Sequence, residues 1–173
     1  MSQLGRDWTF RRPGEDDHRR LSAIIDEWWG GLRMRQALPR LWLRHFSGTS
    51  WLMEDGDGRL TGFLIGFISP DDPGTACIHL AAADPNRRRQ GVGRALYDRF
   101  ARDMASRGVR RIEAITWPGN RVSVRFHAAL GFQIEDGPGT RPIHGTPAFP
   151  DYDGDGEDRV MFSRTLEPRS PAR

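Results

Sequence analysis

The sequence contains no lysine: all 26 of its basic residues are arginine. That absence excludes a nucleoside-triphosphate loop, which needs a Lys-Ser/Thr pair after its second glycine. Cys77 stands alone, which excludes an internal disulfide and any cysteine-rich zinc site. No apolar run approaches the ~20 residues of a membrane span, and the longest, Phe63 to Ile68, is strand-sized. Met1 to Phe10 lacks the apolar stretch of a secretory signal. Charge of one sign is also missing. The 26 basic residues face 23 acidic ones, a net charge of +3, so bulk nucleic-acid binding is not expected, and an arginine-rich RNA module would need aromatic stacking motifs that are absent. These exclusions leave a chain expected in the reducing cytoplasm, with no membrane or nucleic-acid partner.

What is present fits a folded protein. The 173 residues, 37% apolar and 10% aromatic, suffice for a single domain spanning 1–173 with a core over about 8–166. The ends, Met1 to Asp7 and Glu167 to Arg173, are expected to be loose. Thr9 to Arg12 reads as a short strand. Leu21, Ile24, Ile25, Trp28 and Trp29 recur at helical spacing and stop at Gly30-Gly31, and Leu38, Leu41, Trp42 and Phe46 repeat the pattern over a shorter helix. Ser50 to Glu54 and Leu60 to Ser69 flank Asp55-Gly56-Asp57-Gly58, a hairpin signal. Thr75 to Ala83 is a mostly apolar strand and therefore central. Gly91 to Arg107 is a helix, Val109 to Trp117 a strand, and Asn120 caps a last helix closed by Gly131. Phe132 to Asp136 and Arg159 to Leu166 end the fold, separated by a Gly/Pro/Asp-rich stretch, Gly137 to Glu157. The fold class is α/β, a mixed sheet with helices on both faces.

The informative segment runs from Ala83 to Leu96, through Asp84-Pro85-Asn86-Arg87-Arg88-Arg89-Gln90-Gly91-Val92-Gly93-Arg94. It leads from a strand through a basic loop and a glycine pair to a helix start. A helix start presents unpaired N–H groups and the positive end of a dipole, so it attracts anions. Glycine lets the backbone approach without a Cβ between. A diphosphate fits those properties. A dinucleotide fold also places Gly-x-Gly before an acidic residue, here Glu113, but Leu96 occupies its third glycine position, the turn is too long, and Glu113 lies inside its strand.

The segment resembles the cofactor motif of the GNAT superfamily of N-acetyltransferases, Gln/Arg-x-x-Gly-x-Gly/Ala, as Arg88-Arg89-Gln90-Gly91-Val92-Gly93. A second signature of that family, Asn-x-x-Ala-x-x-Phe-Tyr-x-x-x-Gly-Phe, appears as Asn120, Ser123, Phe126, His127, Gly131 and Phe132. Ser123 replaces the usual Ala, and His127 replaces the Tyr that in many relatives protonates the departing thiolate. The element order matches over nearly the whole chain. The resemblance implies the GNAT architecture, a twisted and mostly antiparallel mixed sheet splayed beside Thr75–Ala83, and acetyl-CoA as acyl donor without a metal. It implies that Arg88, Arg89, Gln90, Gly91, Val92, Gly93 and Arg94 hold the diphosphate. Asn120, Ser123 and His127 would contact the cofactor too, and the main chain of Leu80, Ala81, Ala82 and Ala83 would pair with the pantetheine arm and polarise the thioester carbonyl. The acceptor would be an amine of a small molecule or peptide, attacking directly, with the enzyme a monomer or homodimer. A non-catalytic acyl-CoA sensor is the rival reading.

Asn120, Ser123 and His127 fall at i, i+3 and i+7, on a face expected to lie opposite a Val122/Phe126/Leu130 stripe. A histidine can supply a proton near neutral pH, so His127 is the candidate acid, against the plain reading of a surface histidine. His79 alternates with Ile78 and Leu80 and stands where the resembling family often carries a basic Glu. It is the candidate base, against the plain reading of a buried histidine bonded to a carbonyl. Glu113 is the rival base, or merely a partner for Arg110 or Arg111. Trp28 and Trp29 are core, with an acceptor-lining role open to one of them. Asp151, Asp153, Asp155, Glu157 and Asp158 crowd one loop and would favour a cationic acceptor over an anionic one. The calcium-like spacing there lacks the carboxylate a twelfth position needs, which is Phe162.

Overall fold

The computed structural model describes residues 7–167. Apart from Asp7 and Glu167, the ends expected to be loose lie outside them. The contacts group the chain into two compact units: residues up to Phe67 with His79–Met104, and Ile68–Ile78 with the residues from Ala105 onward. Strand β4 (Thr75–Ala83) contributes its first half to one unit and its second half to the other.

In the first unit, β1 (Thr9–Arg11), β2 (Trp51–Glu54) and β3 (Leu60–Ile68) form an antiparallel meander. The register pairs Leu52 with Phe63, so both side chains share one face. That face receives helix α1 (Asp17–Trp28) through Leu21 and Ile25, one turn apart and fully buried, in a core completed by Leu38, Leu43, Ile65 and Leu80. Trp28 and Trp29 meet Phe63 with ring centroids 6.0 Å away, so both pack against this core. Helix α2 (Leu41–His45) is shorter than its apolar pattern suggested. Leu38 precedes Pro39, a position barred from helical backbone, and a 3₁₀ turn, Met34–Ala37, comes before it. Helix α3 (Val92–Ser106) buries Val92, Leu96, Phe100 and Met104 along one stripe. It packs so tightly on β3 that a Cβ at Gly62 would sit 2.7 Å from Val92 and 2.8 Å from Leu96.

In the second unit, the first half of β4 runs parallel to β5 (Arg111–Thr116), and the ladder ends at Ile78–Ala114. Helix α4 (Arg121–Ala129) and strand β6 (Gln133–Ile134) follow. Strands β7 (Arg141–Ile143) and β8 (Thr146–Ala148) form a separate hairpin within the Gly/Pro/Asp-rich stretch. Its turn, His144-Gly145, has positive φ at both residues, 51° and 79°, as a two-residue hairpin turn requires. Strand β9 (Val160–Thr165) pairs antiparallel with both β5 and β6. The strand order is β1-β2-β3-β4-β5-β9-β6. This is the mixed, mostly antiparallel seven-stranded sheet expected, with β4 at its centre.

Candidate active site

The β4–α3 connection is built from the backbone upward. Asp84 ends the strand with its amide on the Thr61 carbonyl, 2.9 Å away, and its carboxylate accepts from Asn86 N at 2.8 Å. Pro85–Arg87 makes one 3₁₀ turn. Arg89 then adopts φ 61° and Gly91 φ 87°, and two left-handed residues in three reverse the chain into α3. A non-glycine residue in that conformation is uncommon and clusters at ligand sites. The first i→i−4 donor of α3 is Ala95 N, to Gly91 O at 2.9 Å. The amides of Val92, Gly93 and Arg94 therefore form the first helical turn, the positive end of a 15-residue dipole. A Cβ at Gly91 would find no atom within 4 Å, so space lies open above the loop. Arg87 is spent on Asp55, while Arg88 and Arg89 are exposed.

On β4, His79 alternates with buried Ile78 and Leu80, as expected. Its Nε2 lies 2.7 Å from the Ala37 carbonyl, and its ring stacks on Trp42 with centroids 3.9 Å apart and planes 15° off parallel. Trp42 is itself wedged against Phe46 and Phe67. A carbonyl only accepts, so in the neutral ring Nε2 carries the proton and Nδ1 the lone pair. Burial lowers the His79 pKa below the usual histidine range, and the bond to Ala37 offsets this in part. The ring is a neutral base at pH 7. Nothing in sequence spacing linked Trp42 or the Ala37 carbonyl to His79; Trp42 read simply as one more apolar helix position.

Cys77, two residues upstream, has its thiol pushed up to about 11 by burial and by the Glu113 carboxylate, so it is not a nucleophile at neutral pH. Glu113 accepts from Arg111 Nε at 2.8 Å, and Arg111 also bonds Glu135. The plain reading of Glu113, as partner to Arg111, describes its contacts.

In the second unit, Asn120 caps α4 as expected, its side-chain oxygen accepting from Ser123 N at 3.0 Å. The expected facing of α4 is corrected. Val122 is 71% exposed, whereas His127 is 5% exposed and Leu130 is buried, so the inward face is the one Asn120, Ser123 and His127 share. His127 is no surface histidine. Its ring stacks on Phe162 at 4.4 Å and meets Phe126 and Phe132 edge-on. Its Nδ1 donates to the Ser123 carbonyl at 2.9 Å. Burial lowers its pKa, with partial relief from that bond. At neutral pH the ring is uncharged and its one proton is engaged, so it is poorly suited to act as an acid.

The acidic loop is largely occupied with itself. Asp151 and Asp158 accept from the amides of Gly156 and Asp151, and Asp153 and Glu157 pair with Arg159.

Comparison with known proteins adds a frame. A model of the acetyltransferase (GNAT) family matches residues 6–132. The chain is 32% identical over 111 residues to the L-2,4-diaminobutyric acid acetyltransferase of Nocardia farcinica, covering 64% of this chain and 57% of that one. It is 32% identical over 127 residues to the enzyme of the same name from Streptomyces coelicolor, covering 70% and 71%. Little more than half the length of the Nocardia relative is thus spanned. Among solved structures, the diaminobutyrate acetyltransferase of Paenibacillus lautus, determined with L-2,4-diaminobutyric acid and coenzyme A, superposes with a TM-score of 0.65 at 23% identity, covering 98% of this chain and 99% of that one.

Proposed function

The chain belongs to the GNAT acetyltransferase family, and from that premise we propose that it moves an acetyl group from acetyl-CoA to a primary amine of a small molecule, with short diamino acids such as 2,4-diaminobutyrate as the acceptor class. The observation that carries the donor is the β4–α3 connection, where Arg89 and Gly91 take positive φ just before the first turn of α3 and a Cβ at Gly91 would meet no atom within 4 Å. The first-turn amides, with Arg88 and Arg89, would hold the diphosphate. The main chain of Ala81 to Ala83, beyond the end of the β4–β5 ladder, would hold the pantetheine arm and stabilise negative charge developing on the carbonyl oxygen. When bound, the cofactor supplies the acetyl thioester. The acceptor is supported by the diaminobutyrate relatives.

The acid–base work falls to His79. An amine is mostly protonated at neutral pH and cannot attack until it loses a proton. Nδ1 of His79 takes that proton, the ring held in tautomer by Ala37 and in plane by Trp42. The amine nitrogen then bonds to the acyl carbon, the carbon–sulfur bond breaks, and the sulfur leaves with the bonding pair and takes up the proton surplus on nitrogen, giving the amide and a free thiol.

Gly91→Asp tests the donor site. It places a carboxylate at the loop and forces an unfavourable φ, so calorimetry should show acetyl-CoA binding abolished while circular dichroism shows an intact fold. Unchanged affinity would end this reading. One observation favours the second reading, a non-catalytic acyl-CoA sensor: the residue in the acid's place, His127, is neutral and enclosed. A thiol-release assay with acetyl-CoA and a panel of diamines separates the two, since a sensor releases none.

A further inference from the structure

Several arginine side chains in this protein are committed to ion pairs. Arg11 and Arg20 serve Glu54, Arg12 serves Asp103, Arg87 serves Asp55, and Arg159 serves Asp153 and Glu157. Arg121 and Arg125 are among the arginines that are not so committed. They stand one turn apart on the exposed side of α4, and among the described residues neither has an ion-pair partner. Like charges at that spacing repel and weaken a helix, a cost that an anion between them would reverse. With Val124 they form one wall of a cavity of about 330 Å³. The opposite wall is the β7–β8 turn, His144, Gly145 and Thr146. That turn is fixed at one side by the edge-on contact of His144 with Trp117, 5.8 Å between centroids. Among the described residues, no carboxylate lines the cavity. Its lining includes two arginines, a histidine and a threonine, and guanidinium geometry suits a phosphate or carboxylate bidentately.

We propose that this cavity is an oxyanion site in which Arg121 and Arg125 grip a phosphate or carboxylate, with Thr146 and His144 as further donors. It deepens the acetyltransferase reading and rests on it for the bearer of the anion, which is either the 3′-phosphate of the cofactor or the carboxylate of the acceptor. Both are oxyanions of the same geometry to a guanidinium pair, and the experiment separates them.

The test compares the full chain with Arg121→Gln/Arg125→Gln, and with Arg125→Lys, which keeps the charge but not the fork. Calorimetry measures CoA against dephospho-CoA, and initial rates measure 2,4-diaminobutyrate against 1,3-diaminopropane, the same diamine without its carboxylate. A loss of roughly ten- to a hundredfold in the double variant, for CoA but not dephospho-CoA, supports the site with the cofactor as bearer. A similar rise in KM for diaminobutyrate but not diaminopropane supports it with the acceptor as bearer. Arg125→Lys should fall between the double variant and wild type. Equal behaviour of all four ligands in wild type and double variant overturns the proposal, as does a loss common to all four. If wild type binds neither form of CoA, it is the acetyltransferase reading that fails. Inorganic phosphate, followed through the Nε–Hε resonances of the two arginines, then decides the site alone: a saturable shift supports it, and none at millimolar phosphate overturns it.

Discussion

His79 on β4 and His127 on α4 are both withdrawn from solvent, both stacked on an aromatic ring and both bonded to a main-chain carbonyl, yet one is anchored through Nε2 and the other through Nδ1. The anchor of His79 lies forty-two residues away in sequence, at Ala37, and the ring is only partly buried. The anchor of His127 is its own helix, four residues back, and aromatic rings surround it. Burial lowers the pKa of both. A lowered pKa makes a base ready at neutral pH, but it makes an acid scarce. The same physics therefore fits the base role proposed for His79 and leaves His127 as a polar piece of the core.

The largest expected effect tests that contrast directly. His79→Ala should lower kcat by roughly a hundred- to ten-thousandfold, the range for a lost general base. Activity requires the neutral ring, so the wild-type rate falls as pH drops through the His79 pKa, which lies below the ordinary ~6.5. That acid limb should vanish in His79→Ala. His127→Phe, which keeps the stacked ring, should cost far less. Were His127→Phe the more damaging change, the two roles would be exchanged; were the limb to survive in His79→Ala and vanish in Glu113→Gln, the base would be Glu113.

A smaller effect should follow from removing what holds the His79 ring. Trp42→Ala deletes the stacking partner at 3.9 Å while leaving the Ala37 carbonyl in place. Aromatic pairs contribute about 0.5–1.5 kcal/mol beyond buried area, so kcat should fall by up to about tenfold. Solvent reaching the ring should also raise its pKa and move the acid limb upward. Trp42→Phe should restore most of both. A change in KM alone, with the limb unmoved, would make Trp42 an acceptor contact rather than a positioning residue.

The contrast was only half legible in the sequence. The α3 loop could be read from glycines, arginines and a helix start, because its chemistry is written in consecutive residues, and Thr75–Ala83 could be read from its apolar run. The facing of α4 could not. Hydrophobicity put Val122 inward and His127 outward, but Asn120, Ser123 and His127 satisfy one another and the helix backbone, so a polar face could be buried. The β7–β8 hairpin was hidden because Pro142 and Pro147 argue against strands, and they stand opposite each other in its register. His144-Gly145 is also a less familiar turn signal than Asn-Gly. Trp42 and His79 are brought together by tertiary packing alone, which no spacing encodes.

The smallest expected effect concerns stability. His127 has a folded pKa below its unfolded value, so the unfolded chain binds the proton more readily. Stability linked to this group is intact above the unfolded pKa of ~6.5 and is lost as pH falls from there toward the folded value. His79 adds to the same window with the same sign. His127→Phe removes one of the two contributions and fills the space between Phe126, Phe132 and Phe162 with another ring. Thermal melts between pH 7.5 and 5, as ~6.5 is crossed, should therefore show a shallower loss of Tm in the variant than in wild type. The gain should be confined to acid, because above the unfolded pKa the ring is neutral in both states. A parallel pair of curves, offset by the same amount at every pH, would mean that His127 titrates alike folded and unfolded. The aromatic enclosure would then not be what keeps this ring uncharged, and the contrast with His79 would lose its physical basis.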